Sequence, residues 1–282
     1  MQKRVLTIQD ISCIGRCSLT VALPILSAAG LETAILPTAV LSTHTAGFSG
    51  YTFRDLTDDI QPIFDHWKAT GFDIAAVYSG YLGSFEQLRL VGDMFDYYKA
   101  KGALIVVDPA MADNGKYYPA FDAAFGAGMA KLAAKADVVV PNLTEAAFML
   151  GEEVCLEGYD KAYIEGLMAR LAALGPSKVV LTGVSFEEGK LGAASYDAVT
   201  GEICYYFQNK VDGYFHGTGD VYASVMVGAL MNGKTVHESA AIAVDFTVSS
   251  LKKTMAMEEA DKRCGVDFEE TLPEFMRALG RI

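Results

Sequence analysis

Ala103-Leu104-Ile105-Val106-Val107-Asp108-Pro109 is a run of five apolar residues that ends at an acid and a proline. Ahead of it, 86–101 reads as a helix stopped by Gly102, and beyond it 121–134 reads as another. A short unbroken apolar strand between helices is buried on both faces, the pattern of a parallel sheet covered on each side. The unit recurs in both directions. Strands are expected at 5–8, 73–78, 137–140 and 178–181, an extended segment at 33–41, and helices at 17–29, 56–68, 145–150 and 161–174. Pro24 should kink the 17–29 helix and Gly30 end it. Past residue 190 the pattern changes. Segments 190–196 and 202–207 flank the turn 197–201 and predict a hairpin, and helices follow at 220–231, 236–253 and 268–279. No linker, low-complexity tract or repeat interrupts the chain. The expectation is one α/β domain over 1–282, with three layers and a mostly parallel central sheet with helices on both faces.

Composition narrows the function. The 282 residues are 51% hydrophobic and 21% charged, which suits a soluble globular protein with a large core. Acidic residues outnumber basic ones 35 to 23, with no basic stripe, so nucleic acid is not an expected partner. No stretch approaches the ~18 apolar residues of a membrane span, and the apolar run at 5–8 is a first strand rather than a signal peptide. The five cysteines are odd in number and scattered, as expected of reduced thiols in a cytoplasmic protein. Cys13 and Cys17 lie four apart, but no second Cys/His pair with ligand spacing accompanies them, which argues against zinc.

Sheets of this kind bind ligands at the carboxyl ends of their strands. Polar clusters fall at those ends: Gln9-Asp10-Ile11-Ser12, Ser79-Gly80-Tyr81, Asp108-Pro109, Pro141-Asn142 and Thr182-Gly183. A further cluster, Gly217-Thr218-Gly219-Asp220, leads directly into the apolar segment Val221–Leu230. A helix start carries unpaired N–H groups and partial positive charge, and glycines there let an anion approach the backbone. Asp220 on the first turn can take a proton from a hydroxyl that attacks phosphorus, or can simply cap the helix. Asp113 and Glu145, which follow buried strands, offer the oxygen ligands that Mg²⁺ prefers. Each also has a local reading, a solvated turn for Asp113 and helix-start electrostatics for Glu145. The loop 42–52 could hold a ring by stacking on Phe48 or Tyr51 with a hydrogen bond from His44, and Tyr81 faces the same rim.

One pattern misleads. Gly228-Ala229-Leu230-Met231-Asn232-Gly233-Lys234-Thr235 matches G-x-x-x-x-G-K-[ST], but a P-loop needs a strand before its glycines and a helix after its Lys-Thr. Here a helix precedes. Asn232-Gly233 reads as its stop and Thr235 as the next N-cap.

Taken in order over nearly the whole chain, these segments resemble the pyridoxal/pyridoxamine kinases of the ribokinase-like superfamily. Ser12 resembles the family's serine that touches the pyridine substrate, and Ser42-Thr43-His44-Thr45 its Ser-Asn-His-Thr segment. Ser79-Gly80-Tyr81-Leu82-Gly83 resembles its Gly-Tyr loop, Asp108-Pro109-Ala110-Met111-Ala112-Asp113 its Asp-Pro-Val-Met-Gly-Asp, and Pro141-Asn142-Leu143-Thr144-Glu145 its Pro-Asn-x-x-Glu. Gly217-Thr218-Gly219-Asp220 matches its anion hole and base. Ala112 in place of glycine, His216 before the Gly-Thr-Gly turn, and the 12–16 loop depart from the pattern. The resemblance implies a three-layer ribokinase-like fold and transfer of the ATP γ-phosphoryl to the 5′-hydroxymethyl of pyridoxal, pyridoxamine or pyridoxine. In it Asp220 is the base, and Gly217, Thr218 and Gly219 form the anion hole. Ser12, His44, Thr45 and Tyr81 hold the ring. Asp108, Asn142, Thr182 and Gly219 line the nucleotide side, and Mg²⁺ sits near Asp113 and Glu145. K⁺ near Asp108 and a homodimer are implied on the same grounds. The alternatives are a hydroxymethylpyrimidine or sugar kinase of the same fold, or a non-catalytic B6-binding regulatory protein.

Overall fold

The computed structural model describes residues 2–45, 47–213, 215–257 and 261–282. Its first half alternates as the apolar runs dictate: β1 (Arg4–Ser12), α1 (Leu19–Ala28), β2 (Glu32–Leu41), β3 (Phe53–Asp55), α2 (Thr57–Thr70), β4 (Ala76–Ser79), α3 (Phe85–Lys99) and β5 (Leu104–Val107). A small hairpin, β6 (Ala112–Asp113) and β7 (Lys116–Tyr117), leads to α4 (Ala123–Ala133), β8 (Val138–Val139), α5 (Leu143–Met149) and α6 (Lys161–Leu174). Then come β9 (Lys178–Val184), β10 (Lys190–Asp197), β11 (Glu202–Asn209), α7 (Thr218–Met231), α8 (Val236–Ala256) and α9 (Leu272–Ala278).

The main sheet has nine strands in the order β11-β10-β9-β8-β5-β4-β1-β2-β3. From β2 to β9 the neighbours are parallel, and β3, β10 and β11 add antiparallel margins. Strands β4 and β8 are buried along their whole length, so their side chains alternate between two cores rather than between core and water. Val77, Ile105 and Val107 enter the core beneath α2 to α6, while Ala76, Tyr78 and Val106 enter the core beneath α1, α7, α8 and α9.

The expected hairpin is β10–β11, paired from Lys190↔Asn209 to Asp197↔Glu202. Two pieces were not expected. Strand β3 is three exposed residues, too short and too polar to show a period. The β6–β7 hairpin turns at Asn114 and Gly115, both with positive φ, so a short ladder closes the turn expected around Asp113. The 17–29 helix begins at Leu19 and contains Pro24 without ending there. The 268–279 segment divides into a 3₁₀ turn, Glu269–Thr271, and α9.

Candidate active site at the start of helix α7

Helix α7 is 14 residues long and starts without a side-chain cap. Its N-cap is Gly217 at φ 75°, and a Cβ there would stand 2.1 Å from the Arg16 carbonyl oxygen. Only glycine fits so close an approach in the left-handed region. Gly219, two residues on, is exposed, and a Cβ there would meet nothing within 4 Å. The uncapped N–H groups therefore lie next to a bare backbone, an anion-binding arrangement. Thr218 turns its hydroxyl back to the Phe215 carbonyl at 2.9 Å, so it shapes the turn with its side chain and offers its backbone to a ligand.

Asp220 does not cap this helix. Its Oδ2 accepts from the Ser18 N–H at 2.9 Å and the Cys17 Sγ–H at 3.3 Å, which leaves Oδ1 without a hydrogen bond among the described residues. Desolvation pushes the carboxyl up from 3.8 to about 6; Asp10 adds to the rise and the two hydrogen bonds oppose it. Ser18 holds a non-glycine backbone at φ 54° and ψ −125°. It is fixed from both sides, since its N–H goes to Asp220 and its hydroxyl to Asp10 Oδ1 at 2.6 Å. Strain of this kind persists where the surroundings over-determine it, and it clusters at functional sites. Cys17 and Ser18 escape a reading of the sequence because they contact Asp220 across some 200 residues of chain, and Asp10, named only within a strand-end cluster, is tied to that pair through Ser18. A polar Cys-Ser pair just ahead of an apolar helix was the only local signal.

A second acid group lies beside it. Asp108 is buried at the end of β5, and its carboxyl is raised well above its ordinary value by burial and by the charges of Glu145 and Asp220. Glu145 is buried on the first turn of α5. Its oxygens accept from the Asn142 N–H at 2.9 Å and the Met111 N–H at 3.2 Å. Asn142 completes the capping box by accepting from the Glu145 N–H, and its amide nitrogen donates to the Ala112 carbonyl. The local reading of Glu145 thus holds, and Asn142 acts as a cap that ties two loops together. Burial nonetheless raises Glu145 to about 7. Asp113 lies in the β6–β7 hairpin, close enough that its charge adds to that rise. Thr182 on β9 bridges to Asn142, which sets both beside the acids. Asp10, Asp108, Glu145 and Asp220 form no ion pair with Lys or Arg among the described residues. Buried carboxylates that lack counter-charge and raise one another suit a hard divalent cation.

The predicted ring-binding residues divide. His44 is buried, 5.0 Å from Phe48 edge-on and 5.2 Å from His216, centroid to centroid. Its Nε2 pairs with the Arg263 carbonyl, which can only accept, so the proton sits on Nε2 and Nδ1 is left a buried acceptor without a partner among the described residues. Tyr81 lies 5.4 Å from Phe121, and burial lifts its hydroxyl to about 12. Ser12 is fully buried and donates to Asp10 Oδ2 at 3.2 Å, so it steadies the acid from below. Thr45 is exposed.

The profile of the phosphomethylpyrimidine kinase family matches residues 25–264. This chain belongs to that family. Among curated relatives of this family member, a pyridoxine/pyridoxal/pyridoxamine kinase of Bordetella avium is 26% identical, over 91% of this chain and 87% of its own. A Bacteroides thetaiotaomicron structure described as a phosphomethylpyrimidine kinase, in its crystal form with pyridoxal, superposes with a TM-score of 0.92. It is 34% identical and covers 98% of this chain and 96% of its own. Pyridoxal kinase from Lactobacillus plantarum gives a TM-score of 0.89 at 30% identity, covering 98% of each chain. These neighbours share the ribokinase-like architecture expected from the sequence.

The P-loop look-alike of this family member is structural. Gly228 lies inside α7, where a Cβ would meet Phe275 Cζ at 2.9 Å and Ala29 Cβ at 3.1 Å. Asn232 is the C-cap, Gly233 has φ 83°, and Thr235 opens α8 with a capping box to Glu238. Residues 231–233 border a hollow of about 370 Å³. It lies at the negative pole of α7, the wrong end for a phosphate.

Proposed function

We propose that this chain phosphorylates the 5′-hydroxymethyl group of a vitamin B6 vitamer with ATP, using Asp220 as general base. The observation that carries the reading is the Asp220 carboxylate, with Oδ1 unengaged, beside the uncapped start of α7. Oδ1 takes the hydroxyl proton as the oxygen attacks the γ-phosphorus. The N–H groups of Gly217, Thr218 and Gly219 meet the charge that spreads over the equatorial oxygens. Tyr81, His44 and the ring of Phe121 orient the heteroaromatic ring, with His44 Nδ1 as an acceptor for a ring hydroxyl. Asp108, Asn142 and Thr182 border the nucleotide side. Asp113 and Glu145 fit Mg²⁺, which when bound neutralises nucleotide phosphate charge. K⁺ near Asp108, a homodimer and a cytoplasmic setting belong to the same proposal. Vitamer names among the relatives, and pyridoxal in the Bacteroides neighbour, support the substrate class.

The family description favours one second reading, hydroxymethylpyrimidine as acceptor. Side-by-side turnover of pyridoxal, pyridoxine, pyridoxamine and hydroxymethylpyrimidine decides it. Asp220→Asn should lower kcat by about 10²–10⁴ while the nucleotide still binds. Turnover near the wild-type rate in folded Asp220→Asn protein would remove Asp220 from the chemistry.

A further inference from the structure

At the antiparallel margin of the sheet, away from the acids described above, three different metal-ligating side chains converge. Glu202 and Cys204 are two apart on β11, so they point to the same face. That face meets the first turn of α8, where His237 sits. One ligand atom from each of the three residues lies within 4.8 Å of the other two. His237 Nε2 is 3.5 Å from Glu202 Oε2, and Cys204 Sγ is 3.8 Å from Glu202 Oε1. Ligands around a tetrahedral zinc ion stand roughly 3.3–3.7 Å apart, as its ~2.0–2.3 Å bonds require. The two edges that meet at the Glu202 carboxylate, one at each oxygen, are therefore already close to that length, and the third, from Cys204 to His237, lies within 4.8 Å.

We propose that Glu202, Cys204 and His237 form a binding site for a thiophilic divalent ion such as Zn²⁺, separate from the kinase centre. The histidine is prepared for it. Ser195, which faces Cys204 across the β10–β11 ladder, places Oγ 2.8 Å from His237 Nδ1 and 3.4 Å from the Cys204 carbonyl. With its own proton on that carbonyl, Ser195 accepts from Nδ1–H. The Nε2 lone pair then points toward Glu202 and Cys204. Nε2 is buried and has no hydrogen-bond partner among the described residues. A second partner that fixes the tautomer of a ligating histidine is a general feature of metal sites. The ligand set of one thiolate, one imidazole and one carboxylate selects zinc-like ions over Mg²⁺. Three protein ligands leave the fourth position to water.

Location separates this site from the catalytic one. Glu202 pairs with Asp197, which pairs with Lys178 at the start of β9, whereas the kinase residues gather at the carboxyl ends of the strands. His237 opens α8 just after α7 has run away from Asp220. On binding, the Cys204 thiol loses its proton to solvent and the thiolate sulfur coordinates the ion.

Co²⁺, a spectroscopic stand-in for Zn²⁺, tests this on the full chain in excess Mg²⁺ without ATP. The expected result is a sulfur-to-cobalt charge-transfer band that saturates at one equivalent and bleaches when Zn²⁺ is added. Cys204→Ser should abolish the band. His237→Gln should weaken Co²⁺ affinity at least about tenfold, and Ser195→Ala by about 10–100-fold. No band in the wild type, an undiminished band in Cys204→Ser, or unchanged affinity in His237→Gln would each overturn the assignment. Should His237→Gln fail to fold, the Cys204→Ser spectrum decides alone.

Discussion

Asp220 gathers its properties from atoms far away in sequence. Burial raises its carboxyl to about 6, while the Cys17 and Ser18 donors hold that rise in check. A base must be unprotonated to act, so its active form is lost as pH falls through about 6. kcat/KM should decline about tenfold per pH unit below that point. Cys17→Ala removes a donor that favours the charged form and should move the midpoint upward. A pH profile flat down to 5, read with saturating nucleotide, would contradict the role. The sequence made Gly217, Gly219 and Asp220 legible because their requirement is local: a bare backbone and an acid at a helix start. It could not expose Cys17 and Ser18, whose contacts with Asp220 exist only once α1 and α7 start side by side.

Helix starts decide much of the chemistry at the scale of elements. Asn142 and Glu145 were readable as a motif, yet the capping box that uses both is a property of α5. Glu145, raised from 4.5 to about 7 chiefly by burial, holds a proton in the native state over a window where the unfolded chain has lost it. Its contribution to stability therefore fades as pH rises from about 4.5 through 7. Without Mg²⁺ that loss stands in full at pH 8; a bound cation offsets it. Mg²⁺ should thus raise Tm more at pH 8 than at pH 5.5, by a few degrees, since about 1 kcal/mol corresponds to roughly 2–4 °C in a chain this long. Equal shifts at the two pH values, measured by calorimetry, would argue against a cation at these acids. The P-loop look-alike makes the opposite kind of prediction. Lys234→Ala should leave ATP affinity within about twofold, whereas Gly228→Ala should cost about 1–3 kcal/mol by forcing a methyl against Phe275 and Ala29. Chemical denaturation and nucleotide titration of the two variants separate packing from binding.

Across the whole molecule, helix α7 is held by packing that ends at the C-terminal segment. Phe275 on α9 is 1% exposed and shares a core with α1, α7 and α8. Its ring lies 5.6 Å from that of Phe246 and fills the space that Gly228 leaves open. Phe275→Ala should cost about 3–5 kcal/mol, read as a lower denaturant midpoint. The starts of α1 and α7, which share the Asp220 contacts, rest on the same core, so kcat should fall along with stability. A variant as stable as wild type would mean that α9 does not anchor the pair. The 261–265 loop acts similarly on the other side of the site, where the Arg263 carbonyl fixes the His44 tautomer.

The chain's linear pattern settled the layer architecture, the parallel core strands, the C-terminal hairpin and the glycine-lined helix start. Each follows from short-range rules: unbroken apolar runs, turn residues, and a backbone that only glycine tolerates. Tertiary structure decided the rest. It alone set which acids share a desolvated space, which nitrogen of His44 carries a proton, and that a Glu, a Cys and a His from two elements meet on the sheet margin. Such features depend on distances between residues tens to hundreds of positions apart, and those distances exist only after the two cores have closed over the sheet.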